Sequence, residues 1–456
     1  MSMIHNALSG AIAAQTALNT TSQNIANTAT PGYTRQGVLL TSRQALAGGL
    51  TAAGNGVQVS SLIRFADNYK SLQMWKAASE LGRYDAGQPY LNQLESVMSD
   101  DTANINNALD GFFASLNAAS VQPDSASLRS QVLTSADTLV KRIASQQQLF
   151  TTQHNALNDQ RGAAVSQINS YTTDIALLNR QIAAAQAGGL NTSGLLDARD
   201  QRIDALASLV GVQVVAQADG TVNVSLNNGQ PLVVGNDAAV MSQNNGQLEL
   251  RFANTTFGVA SQGLGGQLGG VIDYEKQVLE PMQTTVKELA AGIGTLFNTQ
   301  LAAVGGPPLF VLNGSQLELS TTITAGTLAF AAAGEGAGGG GNLSELIKLK
   351  DSKITLTQFD AQGNALPPAV PPVQTVLGDI YTQLVGTLGV RSQQNQAAQT
   401  TAQTVRDQSQ ANWASTSGVN TDEEAINLMQ YQQMYQANMK VIAAAGKLFD
   451  STLAAF

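Results

Sequence analysis

Apolar positions at the start of the chain recur at helical spacing. Ile4, Leu8, Ala11, Gln15, Leu18, Ser22 and Ile25 alternate steps of four and three, the a/d pattern of a helix that pairs with another helix. The reading places this row inward. The opposite face carries Thr, Asn, Gln and Ser instead of charge, so neighbouring molecules could cover it without desolvating ions. Thr30-Pro31-Gly32-Tyr33 ends the helix, because Pro31 lacks a donor and Gly32 permits a turn. Residues 35–63 read as loops and short strands, broken at Gly48-Gly49 and Gly54-Asn55-Gly56. A second helix is expected from near Arg64, with Phe65, Tyr69, Leu72, Trp75, Ala78 and Leu81 facing inward.

The longest periodic run follows Pro123-Asp124. Leu128, Val132, Leu139, Ile143, Phe150, Leu157, Ile168, Tyr171, Ile175, Leu178 and Ile182 hold one register. Unbroken, it makes a helix about 90 Å long. With a turn near Gly162 it makes a rod-like hairpin. A short helix is expected at Asp197–Leu209. The period then changes to two over Val212–Gln217, Thr221–Leu226 and Pro231–Val234, with hairpin turns at Asp219-Gly220 and Asn228-Gly229. Gln247–Phe252 and Thr256–Ala260 continue the strands. Helix resumes over Val271–Val304, and a second strand-and-loop block spans 305–371, with Pro367-Pro368 and Pro371-Pro372. Helices return at Val376–Gln410 and from Asp422 to the end. There Ala425, Leu428, Gln432, Tyr435, Met439, Ile442, Gly446, Phe449, Leu453 and Phe456 form a second heptad row.

The pattern predicts an α+β, multidomain chain: a long helical rod or bundle built from both chain ends, with an inserted β-rich domain. Residues 1–30 and 415–456 are expected to form a terminal coiled-coil domain. The helical rod takes 31–205, 265–304 and 372–414, and a β-rich outer domain takes 206–264 and 305–371.

Composition narrows the function. A net charge of −9 disfavours nucleic acid and anionic membrane surfaces as partners. The chain has no cysteine, which excludes disulfides and thiolate chemistry, and its two histidines, His5 and His154, cannot form a multi-His metal cage. No Lys or Arg precedes Arg35, and polar residues interrupt every early apolar run, so Met1–Ala29 does not read as a cleaved signal peptide. No stretch reaches the 18 or so apolar residues of a membrane span.

Catalysis finds no anchor. The glycine runs at 263–270 and 334–341 do not sit in a βαβ unit and read as connectors. His154 falls on the long seam and is expected to pack neutral between helices; His5 has no carboxylate in local reach. Asp422-Glu423-Glu424 opens a helix, where carboxylates oppose the positive helix end. No catalytic residue, metal site or cofactor is expected.

Both chain ends resemble a known family. Ala7-Leu8-Ser9-Gly10, Ala14-Gln15, Leu18, Thr20 through Asn27, and Pro31-Gly32-Tyr33-Thr34-Arg35-Gln36 are similar to the N-terminal signature of the bacterial flagellar axial proteins of rod, hook and hook-associated type. Ser417-Gly418-Val419-Asn420, Asp422 through Ala425, Tyr431-Gln432-Gln433, Tyr435-Gln436-Ala437-Asn438 and Val441-Ile442 are similar to the C-terminal signature of the hook-associated members. Gly111-Phe112-Phe113 with Leu116, the run Leu195 through Gln201, and Asp219 through Val224 fit the same members. Ala29 departs from the pattern, and the chain is short for the family.

The resemblance implies a structural protein at the junction of hook and filament, exported without a cleaved signal and located on the extracellular flagellum. It implies a ring of about eleven copies closed by helix pairing. The implied partners are hook protein below, a second hook-associated junction protein above, and an export chaperone at the C-terminal region. Assembly residues are expected at Ile4, Leu8, Ala11, Leu18, Asn24, Ile25, Asn27, Pro31, Gly32, Tyr33 and Arg35. At the other end they are Leu428, Tyr431, Tyr435, Asn438, Met439, Ile442, Phe449, Leu453 and Phe456. The alternatives are a flagellar hook or distal rod protein and, in a different class, a secreted type III coiled-coil effector or translocator.

Overall fold

In the computed structural model, residues 2–43, 54–244, 246–314, 316–336, 338–367 and 373–455 are described. Gly48-Gly49, Pro368, Pro371-Pro372 and Phe456 lie outside them. The first helix, α1 (Ser2–Ala26), is followed by a hairpin of β1 (Gln36–Ser42) and β2 (Val57–Arg64). Then come α2 (Asn68–Met98), α3 (Ile105–Ala119), α4 (Ala126–Ala187) and α5 (Ser193–Leu209). Two antiparallel sheets follow. One orders β3 (Val212–Ala216), β4 (Val222–Leu226), β5 (Pro231–Val234) and β6 (Asp237–Ala238). The other orders β7 (Val240–Asn244), β8 (Gln247–Phe252) and β9 (Thr255–Val259). Helix α6 (Gly266–Tyr274) runs through a π-helical turn, Glu275–Leu279, into α7 (Glu280–Ala302). Hairpin β10 (Phe310–Asn313) and β11 (Gln316–Leu319), helix α8 (Gly341–Lys348), and the pair β12 (Lys353–Leu356) and β13 (Val373–Val376) precede α9 (Ile380–Ser417) and α10 (Thr421–Leu453).

The long apolar register forms one continuous helix. At 62 residues, α4 is about 90 Å long. Gly162 sits exposed within it, with no neighbour where a Cβ would project, so it causes no break. Ser125 caps the helix start through its side-chain oxygen. Val132, Leu139, Ile143, Phe150, Leu157, Ile168, Ile175 and Ile182 are all buried along one side.

Helix α4 is shared by two hydrophobic cores. Its first half packs with α3, the second half of α2, α7, α8 and the start of α9, around Phe112, Phe297, Phe310 and Tyr381. The rings of Phe112, Phe113, Phe297 and Phe310 contact one another with centroids 5.1–6.0 Å apart. Its second half packs with Trp75, α5 and both sheets of the 212–259 segment. The two strand-bearing segments therefore do not share a domain core. Strands β3 to β9 close the second core, whereas Phe310, Leu317 and Ile354 belong to the first. The expectation placed 206–264 and 305–371 in one outer domain; between them α6 contributes to both cores and α7 to the first, before the second block begins. Tyr69 and Leu72, expected inward on α2, are exposed, because the cores begin only at Trp75 and Ala78.

Candidate functional site: the terminal helix pair and its joint

Helices α1 and α10 pack along each other and contribute to neither core. The buried face of α1 is made of small residues: Ala7, Gly10, Ala11, Ala14, Ala17, Thr21 and Asn24. They repeat at helical spacing, one position away from most of the expected row. That row is corrected accordingly. Ile4 is 40% exposed, Leu8 46% and Ile25 38%, and Ile12 beside them is 55% exposed. Ala11 alone of the row is fully buried, and Leu18 is half-buried. Gly10 faces α10 directly: a Cβ there would stand 2.5 Å from Asn438 Oδ1, so bulk at this position would have to displace that side chain.

Helix α10 supplies the complementary bulk. Leu428, Tyr431, Tyr435, Asn438 and Ile442 are half-buried toward α1. Met439, Phe449 and Leu453 are exposed, the last two at 64% each, as are Ile426, Met429 and Leu448. Each helix thus carries large apolar side chains outward that none of the described residues covers. Clustered exposed apolar side chains of this kind mark interaction surfaces.

The turn after α1 is built around Asn24. Its amide donates to Gln36 O at 2.8 Å, while its Oδ1 accepts from Gln36 N at 3.0 Å and from the Tyr33 hydroxyl at 2.9 Å. Asn24 itself is buried, and its three bonds are part-buried. Gly32 takes φ +72°, which a side chain would strain. Asn27 accepts from Thr30 Oγ1 at 3.1 Å and closes the same turn. Burial, with Asp197 and Glu424 nearby, pushes the Tyr33 phenol up from its ordinary value.

Pro31 to Arg35 then meets the body of the molecule. Gln201 Nε2 donates to Pro31 O at 2.6 Å, and Thr34 N donates to Asp197 Oδ2 at 3.1 Å. Arg64, at the end of β2, donates to Asp197 Oδ1 at 2.8 Å, to Asp200 Oδ2 at 2.8 Å and to Thr34 Oγ1 at 3.2 Å. Arg35 reaches the other chain end: its backbone N–H donates to Ser417 O at 2.8 Å and its guanidinium pairs with Glu423. The guanidinium also lies over the Phe65 ring at 4.3 Å. Asn420 caps α10, accepting from Asp422 N at 3.0 Å and Glu423 N at 3.4 Å. The acidic triplet thus opens the helix, but Glu423 also binds Arg35, and Glu424 is buried. The part played by α5 was hidden in the sequence, because Asp197 and Asp200 lie more than 130 residues beyond the groups they bind. The signal available was the sharing of the Leu195–Gln201 run with the family.

His154 is corrected as well. It is half-exposed, and its Nδ1 lies 3.0 Å from Oε1 of buried Glu275, which also takes Arg161 at 2.5 Å. Among the described residues no cluster of carboxylates and histidines could hold a metal ion, and no helix is long and apolar enough to cross a membrane.

Helical ends paired outside the cores, each with large apolar side chains exposed, give the chain the architecture of a structural protein. Comparison with known proteins agrees at both ends and in the middle. Residues 91–304 match the flagellar hook-associated protein FlgK helical domain. Residues 4–34 match the flagella basal body rod protein family, and residues 410–455 the flagellar basal body rod FlgEFG protein C-terminal family. Flagellar hook-associated protein 1 of Escherichia coli is 27% identical over 542 residues, covering 99% of each chain. That of Bacillus subtilis is 26% identical over 503 residues, covering 97% of this chain and 95% of the relative. The solved flagellar hook junction protein FlgK from Burkholderia pseudomallei aligns with 54% of this chain and 46% of its own, at 29% identity and a TM-score of 0.47. Over nearly its full length the chain is thus similar to flagellar hook-associated protein 1.

Proposed function

We propose that this chain is a structural subunit of the bacterial flagellum that forms the junction between hook and filament. The observation that carries this is the α1–α10 pair: each helix bears the family's terminal signature, and each presents an apolar row outward. Copies associate through these rows into a ring of about eleven, closed by repetition of one heterologous contact. Hook protein lies below the ring and a second hook-associated junction protein above it. The chain reaches this place by export without a cleaved signal, with a chaperone holding its C-terminal region on the way. Its role is mechanical and not enzymatic.

The test is complementation of a bacterium lacking its hook–filament junction protein. An epitope-tagged copy of this chain should restore filaments and label the hook tip in a single band. Label along the whole hook would instead assign it as hook protein. Label within the cell envelope would assign a distal rod protein, and label on host cells without any on the flagellum a secreted effector.

A further inference from the structure

Arg64, Asp197 and Asp200 stand where the terminal helix pair meets the body. We infer that this buried cluster is a positioning joint: it sets the orientation of the helix pair relative to the rod, and so the fit of each subunit into its ring. The inference rests on the assembly role proposed above and names the residues that serve it.

Three features carry it. First, the cluster gathers separate parts of the chain. Arg64 comes from the end of the β1–β2 hairpin, Thr34 from the turn after α1, and Asp197 and Asp200 from α5. Second, the groups are well buried and directional. The Arg64 and Asp197 side chains are only 13% and 8% exposed. One guanidinium uses Nε on one carboxylate and a terminal nitrogen on another, a planar geometry that an ammonium cannot copy. Third, the cluster links a cored element to an uncored one: α5, which carries both aspartates, places Ile203, Leu206 and Ala207 in the second core, whereas α1 and its turn add nothing to either core. Apolar contact tolerates sliding, whereas a forked hydrogen-bonded ion pair specifies one angle. Arg199 pairs with Asp200 at 3.2 Å and donates to Gly220 O at 2.8 Å, which ties α5 in turn to the β3–β4 hairpin.

The absence of native cysteine makes the test clean. Spin labels are placed on the full-length chain at two exposed positions, Ala29→Cys beside the turn and Ser166→Cys on α4. Their distance distribution is measured in the parent, in Asp197→Ala, in Arg64→Ala and in Arg64→Lys. The parent should give a single narrow distribution, and each variant should broaden it at a temperature where the far-ultraviolet dichroism shows the body still fully folded, although loss of a buried partner lowers its melting temperature. Arg64→Lys tests geometry against charge, and broadening there supports the fork. In cells the same variants should be exported but should shed unpolymerised filament protein. Narrow distributions in both alanine variants would overturn the joint. Broadened distributions with normal filament growth would overturn its role in positioning. Failure of the parent itself to restore filaments would strike the proposed function and leave the distance result standing.

Discussion

Two buried polar residues show how single side chains hold this fold. Tyr381 is enclosed in the first core, where its hydroxyl donates to Met98 O at 3.0 Å and accepts from Gln146 Nε2 at 3.1 Å. Burial pushes the phenol up to about 12. Free tyrosine ionises near 10. The unfolded chain therefore loses this proton at lower pH than the folded one, and stability falls as pH rises from about 10 to about 12. Tyr381→Phe should make that part of the curve shallower in denaturant titrations at stepped pH, buried phenols such as Tyr274 contributing the rest, although it lowers stability at neutral pH by leaving Gln146 and Met98 short of a partner. A slope unchanged in the variant would assign the alkaline loss elsewhere. Asn24 serves the terminal turn in the same way. Asn24→Ala removes three hydrogen bonds and orphans the Gln36 amide, at a cost of about 1–3 kcal/mol. Faster exchange of that amide in the variant is the local signature.

At the scale of elements, glycine sets how closely helices cross. Helix α6 lies against α2 at Gly270, where a methyl group would run into the backbone carbonyl of Arg83. Backbone cannot give way as a flexible side chain can. Gly270→Ala should cost about 1–3 kcal/mol by overpacking, seen as a lower midpoint in denaturant. The terminal pair allows a sharper contrast. Gly10→Val places bulk against Asn438 and should loosen α1 from α10 within one molecule. Leu8→Asp and Phe449→Asp alter exposed positions and should leave the monomer's dichroism and melting unchanged, yet block ring formation and filament growth. Normal swimming with Leu8→Asp would show that the outward row of α1 is not an assembly surface.

The whole molecule is a rod with two cores strung on α4 and a pair of terminal helices that lies outside both. The ends are fastened at Thr34, Arg35 and Ser417, and beyond that they contact mainly each other and the β1–β2 hairpin. A helix pair with small residues on one side buries little apolar area per residue ordered, so its stability depends on what covers it. In hydrogen exchange on the soluble monomer, protection should be high over 132–182 and fall from the joint toward both termini. On assembly the terminal amides should become protected. Uniform strong protection to both ends in a monodisperse monomer would mean that the pair is stable without neighbours.

Local periodicity determined much of this architecture. The register from Val132 to Ile182, the hairpin turns at Gly220 and Gly229, the helical nature of both ends and the signatures they carry could all be read from neighbouring residues, since each depends on spacing along one element. Three things were decided only in tertiary structure. Which face of α1 is inner turned on where α10 packs, and the row of largest apolar residues, which periodicity favours, was the one left outside. The division of the strand segments between two cores depended on which core each element between them packs against. The joint of Arg64 with Asp197 and Asp200 joins residues far apart in sequence, and a charge carries no mark of its partner until folding brings the two within hydrogen-bond reach.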